Sequence, residues 1–167
     1  MKIIVFRAKT LLIICLIIGV LLSTLYTPAV QSVFSASNGR SLPIYSVQTE
    51  EKKIAIGINC AWDDSDIPSM LSCLAQQEVN ATFFLLGEWA EKYPVSAATI
   101  AKSGQEIGSH SYSHRDLDSL SQSEILNEIS QSQQSIQKAC GQTPVLFRPP
   151  SGSYNDTVID CIHQSGC

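Results

Sequence analysis

The feature that most constrains this chain is a repeated alternation between short apolar stretches and longer stretches with helical periodicity. Four segments predict β-strands: residues 53–58, 81–86, 106–108 and 145–147. The segment 81–86 is almost continuously apolar, as expected of a strand that is buried on both faces of a sheet. Strands separated by helix-length segments favour an α/β fold with a parallel sheet or barrel.

The first two helical segments lie between the predicted strands. Apolar residues recur at helical spacing from Ile67 through Leu74 to Val79 and predict the first helix. Pro94 suits the first turn of a second helix, and Gly104 is a stop signal at its end. Both segments are long enough to connect neighbouring parallel strands.

The later helices have clearer boundaries. Ser121 and Glu124 have the spacing of a capping box, with Leu120 and Ile125 placed for a hydrophobic staple. Gly141 supplies the corresponding stop signal. A final helix is predicted over residues 155–164.

The N-terminus has the pattern of an export signal. Three basic residues precede an unbroken apolar run over residues 11–22, and no acidic residue occurs in residues 1–37. The run has the length of a signal-peptide core, and extension to residue 26 would make a thin membrane anchor. A buried core helix is the alternative. We therefore expect residues 1–37 to be a signal peptide or anchor, 38–51 a linker, and the remaining domain to lie outside the cytoplasm.

Charge and cysteine spacing exclude two classes of function. The formal net charge is −4, which gives no basic surface for nucleic acid. The chain has six cysteines, one of them in the apolar N-terminal run, and no C-x-x-C spacing, so no structural zinc site is indicated. The pairing of the other five cysteines stays open.

Polar residues cluster where three of the predicted strands end. The loops are residues 59–64, 109–114 and 148–152. In parallel α/β folds the carboxyl ends of the strands meet at one edge, where functional sites form. These three loops are therefore the candidate site.

The middle loop holds two of the three histidines of the chain. His110 and His114 are four residues apart, a spacing that lets two imidazoles face one metal or occupy a solvated surface. Asp63 and Asp64 could complete a metal site or form an acidic turn. Arg148 could pair with a carboxylate of the site or anchor the structure.

Taken together, the loops resemble the NodB-homology polysaccharide deacetylases, the family-four carbohydrate esterases. The matching stretches are residues 79–84, 108–114 and 148–155. The second contains the family pattern H-[ST]-x-x-H, and the third follows the pattern R-x-P-x-G-x-x-N. The resemblance extends from about residue 51 to residue 167. It is strongest to the sporulation-associated, membrane-anchored branch, in which Ala-Trp follows the first strand.

The resemblance implies a distorted (β/α) barrel, present here in part, and hydrolysis of N-acetyl groups on peptidoglycan or chitin-like polysaccharide. It also implies a divalent metal, most simply zinc, with cobalt or manganese as alternatives. Metal ligation falls to Asp64, His110 and His114, with Ser111 steadying their loop. The resemblance assigns the role of catalytic base to Asp63 and makes Arg148 the partner of that base. It assigns substrate contacts to Ser151, Gly152 and Tyr154.

The first family motif, T-F-D-D, admits two alignments. Without gaps, Asn59 and Cys60 take the places of the base and of the metal-binding aspartate. An amide is not a base at neutral pH, although a thiolate can bind zinc. A shifted alignment restores Asp63 and Asp64 but removes four residues from the loop. We favour the gapless alignment.

Two functions from different classes follow. One is a metal-dependent polysaccharide deacetylase with an altered first motif. The other is a non-catalytic glycan-binding or structural cell-wall protein that keeps the fold. The resemblance also places a fifth strand and an acid histidine after residue 167, so we expect the chain to be the N-terminal part of such a domain.

Overall fold

The computed structural model of the chain describes residues 41–167, and the predicted signal or anchor over residues 1–37 lies outside them. Three strands, β1 (Gly57–Cys60), β2 (Thr82–Leu85) and β3 (Glu106–Ser109), form a parallel sheet in the order β1-β2-β3. The predicted α/β fold with parallel strands is confirmed. Within residues 41–167, no helix has both the length and the apolar character needed to cross a membrane.

Among residues 41–167, five α-helices connect and follow the strands. They are α1 (Ile67–Gln76), α2 (Gly87–Lys92), α3 (Pro94–Lys102), α4 (Gln122–Cys140) and α5 (Asp156–Gln164). Two short 3-10 turns, Leu117–Ser119 and Pro150–Gly152, precede α4 and α5 respectively. The prediction of a helix beginning at Pro94 is confirmed, whereas α2 was not predicted because neither a polar cap nor a proline marks its start.

The first strand is shorter than predicted, because residues 53–55 have no partner strand and Ile56 contributes only its carbonyl, which accepts from the Thr82 amide at 2.9 Å. Gly57 pairs with Thr82, so an extension toward residue 53 would have to pair with residues 78–81. That segment contains Glu78 in a left-handed turn, and the amide of Ala81 donates to the side chain of Gln105 at 2.8 Å. The backbone of residues 78–81 is therefore not available to pair with a longer first strand.

The prediction of a fourth strand over residues 145–147 was wrong. Only Phe147 pairs with the sheet, through a single parallel bridge to Ser109. The bridge rests on two hydrogen bonds of 2.8 Å, from the Ser109 amide to the Leu146 carbonyl and from the Arg148 amide to the Ser109 carbonyl. Pro149 follows immediately and has no N–H to continue the ladder.

Helix α4 is capped at both ends as predicted. The Ser121 hydroxyl accepts from the Glu124 amide, and the Glu124 carboxylate accepts from the Ser121 amide. At the other end Gly141 has a φ of 77°, the left-handed conformation that glycine adopts at little cost. The predicted helix boundaries are confirmed.

The core consists of two apolar clusters, and α4 contributes to both. Cluster one packs β2, α1, α2 and α3 around Phe83, Trp89 and Ile100, and it includes Ile136 near the end of α4. Cluster two packs α4 and α5 around Ile129 and related side chains. Helix α4 therefore connects the two clusters.

Candidate active site at the strand ends

The three polar loops meet at the carboxyl edge of the sheet. The His110 amide donates to the Leu85 carbonyl at the end of β2, at 2.8 Å. The Arg148 amide donates to the carbonyl of Ser109, at the end of β3. These backbone bonds bring the histidine loop and the Arg148 loop side by side, as parallel pairing predicts.

His110 is buried and held in one orientation. Its side chain is 2% exposed, and Nδ1 lies 2.7 Å from the carbonyl oxygen of Arg148. Because a carbonyl only accepts, Nδ1 carries the proton and Nε2 keeps its lone pair. Burial lowers the pKa of His110, although the bond to Arg148 acts in the opposite direction. The imidazole is therefore neutral, with Nε2 in the form that ligates metals.

His114 lies beside His110 and beneath an exposed tryptophan. The ring centroids of the two histidines are 5.3 Å apart in an edge-on arrangement, and the Trp62 ring lies 5.6 Å from His114. His114 has a φ of 63°, which non-glycine residues adopt rarely. Trp62 is 76% exposed, so its ring faces solvent at the site.

Two cavities flank Trp62. One, of about 240 Å³, lies on the histidine side and is lined by Ala61, Trp62, Leu86, Glu88, Ser113 and His114. The other, of about 270 Å³, lies between the end of β1 and the start of α1 and includes Asn59, Cys60 and Asp66 in its lining. Trp62 therefore divides the open surface of the site into two parts.

Arg148 pairs with an amide, not with a carboxylate. Its Nη1 donates to Oδ1 of Asn59 at 2.9 Å, and its guanidinium lies 4.1 Å from the centre of the Phe84 ring. A Cβ on Gly57 would come within 2.2 Å of Nη2 of Arg148, so the glycine leaves room for this side chain. The end of β1 thus brings Asn59 into contact with Arg148.

The carboxylates of Asp63 and Asp64 each accept a hydrogen bond from a serine hydroxyl. Asp63 accepts from the Ser65 hydroxyl at 2.5 Å, and that bond lowers the pKa of its exposed carboxyl. Asp64 accepts from the Ser96 hydroxyl on α3, also at 2.5 Å. The structure therefore shows Asp64 bonded to α3. The roles assigned to Asp63 and Asp64 by the shifted alignment stay predictions.

Cys60 is a buried thiol of the core. It is 4% exposed and packs in cluster one. Burial, together with the negative charge of Asp66, raises the pKa of Cys60 to about 12. The thiol is therefore protonated at neutral pH and carries no charge with which to attract a cation.

The residues assigned to substrate contacts lie along the Pro150–Gly152 turn and just after it. Ser151 and Gly152 have φ values of 55° and 67°, so two successive residues adopt left-handed conformations. The Tyr154 hydroxyl lies 2.8 Å from that of Tyr45, and the Tyr154 ring packs against cluster two. Their substrate contacts stay predictions.

The donor set at the site is incomplete for a divalent metal. His110 and His114 suit such an ion, but catalytic zinc sites use three protein ligands. Among residues 41–167, no three His, Cys, Asp or Glu side chains are arranged to hold one. The predicted set of Asp64, His110 and His114 is not such a group, and metal ligation by these three residues stays a prediction.

Sequence reasoning missed the acidic residue that supports the histidine loop. The carboxylate of Glu128 on α4 accepts hydrogen bonds from Ser111, Tyr112 and Ser113. A signal was present, since Glu128 falls on the same helical face as Ile125, Ile129 and Ile136. A charged residue on an otherwise buried face is uncommon and points to a specific partner.

A parallel sheet with a His-x-x-x-His loop and an arginine loop at its carboxyl edge defines the class of this protein. The family model for polysaccharide deacetylases matches residues 46–167. The chain belongs to the polysaccharide deacetylase family.

The relatives in this family include both enzymes and a non-enzyme. The chain is 39% identical over 118 residues to the uncharacterized protein YlxY of Bacillus subtilis, covering 71% of this chain and 37% of YlxY. It is 36% identical over 108 residues to a peptidoglycan-N-acetylglucosamine deacetylase of Bacillus cereus, covering 65% and 39% respectively. The chain therefore spans well under half the length of these relatives.

A solved structure of a CE4 family pseudoenzyme from Bacillus anthracis superposes with a TM-score of 0.68 and 34% identity, covering 70% of this chain and 42% of that one. A mutant of that pseudoenzyme, described as having restored enzymatic activity, matches with the same identity and TM-score. Similarity of fold and sequence in this family thus extends to a member that has lost activity.

Proposed function

We propose that this chain is a catalytically impaired member of the family that binds cell-wall polysaccharide. The observation that carries the proposal is the hydrogen bond from Arg148 to Asn59. In the gapless alignment Asn59 takes the place of the base, and an amide cannot remove a proton from water at neutral pH. The arginine partner is thus retained while the base is replaced.

The state of Cys60 supports the same proposal. The residue aligned with the metal-binding aspartate is a neutral thiol in the core, and no carboxylate joins the two histidines within the described part of the chain. Without a third donor, a divalent ion would bind weakly. The impairment therefore affects both the base and the metal.

The binding surface we propose is the exposed face of Trp62 with the adjoining 240 Å³ cavity. Aromatic rings with one polar edge supply broad contact area for ligands, and concave sites with a few polar groups fix their orientation. Glu88, Ser113 and His114 supply those polar groups. One relative is a peptidoglycan-N-acetylglucosamine deacetylase, so we propose N-acetylated peptidoglycan glycan as the class of ligand.

Such a ligand places the domain outside the cytoplasm. The basic flank and apolar run of residues 1–37 support export, followed by release or by anchoring in the membrane. Localisation and anchoring are both part of this proposal.

A second candidate function is a metal-dependent polysaccharide deacetylase. The observation in its favour is His110, which is neutral, buried and fixed with Nε2 available. On this view the described residues would supply two of the metal ligands.

Calorimetric titration of N-acetylated chitotetraose into the chain, with acetate measured in the same samples, separates the two functions. We expect binding without acetate release. Trp62→Ala should weaken binding by about tenfold, because it removes one favourable contact with the ligand. Val95 on α3 is equally exposed, and Val95→Ala should leave the affinity unchanged. Turnover at about one per second, an ordinary enzymatic rate, would establish the second function instead. Failure of the wild-type chain to bind would refute polysaccharide binding.

Zinc binding tests the cause of the impairment separately. The double variant with Asn59→Asp and Cys60→Asp restores two carboxylates, and zinc should raise its Tm because a ligand that binds the folded state stabilises it. The wild-type Tm should stay unchanged at the same zinc concentration. An equal rise in both proteins would show that the missing carboxylates are not the defect.

A further inference from the structure

The histidine loop follows an unusual backbone path. Ser111 and His114 both have positive φ values, of 71° and 63°. Side chains rarely adopt this conformation without support from the surrounding structure. Something outside the loop must therefore hold it.

Glu128 on α4 contacts the loop with both carboxylate oxygens. Oε2 accepts from the Ser111 hydroxyl at 2.7 Å and from the amides of Tyr112 and Ser113 at 3.1 and 3.0 Å. Oε1 accepts from the Ser113 hydroxyl at 2.6 Å. Four donors from three successive residues thus converge on one side chain.

This carboxylate is buried and has no cationic partner. Glu128 is 6% exposed, and the ion pairs found between described residues involve other side chains. Burial alone would raise the pKa of Glu128, but the hydrogen bonds from Ser113, Ser111 and Tyr112 hold it below the usual value. A buried, unpaired charge is costly, so it persists where it accepts several hydrogen bonds.

Neighbouring contacts hold the same loop from the other side. The carbonyls of Ser111 and Tyr112 accept from the amides of Gly87 and Glu88, at 3.0 and 3.1 Å. One turn further along α4, the hydroxyls of Ser132 and Ser109 lie 2.8 Å apart. The Ser111 amide donates to the Ser109 hydroxyl at 3.3 Å, whereas the amides of Tyr112 and Ser113 both donate to Glu128.

We propose that Glu128 is a positioning residue that holds residues 111–113 in their left-handed path and thereby sets His114 against Trp62 and His110. It acts through the loop and touches neither imidazole. The role does not depend on whether the site binds glycan, binds metal or is inactive.

The experiment uses the whole chain and nuclear magnetic resonance. Glu128→Ala should cost the amides of Tyr112 and Ser113 at least about tenfold in hydrogen-exchange protection relative to β2, since they lose an ionised acceptor. The ring protons of His114 should lose the shift caused by Trp62 and move toward the positions of free histidine. Glu128→Gln, which keeps one acceptor oxygen and the shape, should restore part of both signals.

Two controls separate positioning from general stability. Glu78→Gln removes one exposed negative charge at the turn after α1 and should change neither signal. Ser132→Ala removes a contact on the same face of α4 and should leave the amides of Tyr112 and Ser113 protected. Unchanged His114 signals in Glu128→Ala would overturn the proposal. So would a loss of protection spread evenly over β2 and α4, because that would mark a general role in folding.

Discussion

At the residue scale, the proposed impairment rests on the hydrogen bond between Arg148 and Asn59 at the end of β1. Arg148 still donates to the end of β1, where it meets the amide oxygen of Asn59. The neighbouring Cys60 packs in cluster one and also lines the cavity beside Asn59. If the gapless alignment holds, two adjacent residues of β1 account for the impairment that we propose.

The protonation state of Cys60 gives a direct prediction. With a pKa of about 12 and a buried side chain, Cys60 should resist alkylation by iodoacetamide at pH 8 in the folded chain, because the thiolate is the reactive form. The exposed Cys73 should be modified readily and serves as the internal control. Peptide mass spectrometry measures both. Modification of Cys60 as fast as Cys73 would show that it is neither buried nor neutral.

At the scale of elements, the sequence is most informative where a local signal determines structure. The capping box at Ser121, the stop at Gly141 and the start at Pro94 are local, and each was predicted correctly. The strand predicted over residues 145–147 depended on a partner, and the flanking prolines left only one bridge. Helix α2 has no local start signal, so packing of Trp89 into cluster one determines it.

The candidate site shows the same difference between features set by local sequence and features set by contacts between distant elements. Sequence alone predicted that the three loops meet, because parallel strands bring their carboxyl ends together. The sequence could not show that the Asp64 carboxylate accepts a hydrogen bond from the Ser96 hydroxyl, or that Arg148 donates one to Asn59. Those pairings depend on distances between elements that no local pattern contains.

The capping box of α4 gives a prediction with a defined pH dependence. Hydrogen bonds from Ser121, and then from Arg115, lower the pKa of Glu124 to about 2. A depressed pKa in the folded state means that the ionised carboxylate stabilises the fold above its unfolded pKa of about 4.5. That stabilisation is lost as the pH falls toward 2.

Glu124→Gln should therefore lower the free energy of unfolding at pH 7, and the difference from the wild type should shrink between pH 4.5 and 2. Urea unfolding at pH 7, 4 and 2.5 measures it. Glu78→Gln, at an exposed position outside any capping box, should show no comparable trend. A difference between Glu124→Gln and wild type that stays constant with pH would contradict this account of the cap.

At the scale of the described domain, α4 connects two cores that share few other elements. Ile129 is fully buried in cluster two and Ile136 is fully buried in cluster one, two turns apart on the same helix. Unfolding of either cluster exposes one face of α4 and withdraws support from the other cluster. The two clusters should therefore unfold together.

Ile129→Ala and Ile136→Ala test this coupling. Each should lower the free energy of unfolding by about 2–5 kcal/mol, the usual cost of truncating a buried isoleucine. With Trp62→Phe in every protein compared, the fluorescence of Trp89 reports on cluster one, and far-ultraviolet circular dichroism reports mainly on the helices. Both probes should give the same urea midpoint in each variant, while Val95→Ala should leave it near the wild-type value. Separate midpoints in Ile129→Ala, with the tryptophan signal unfolding later, would mean that each cluster is stable without the other.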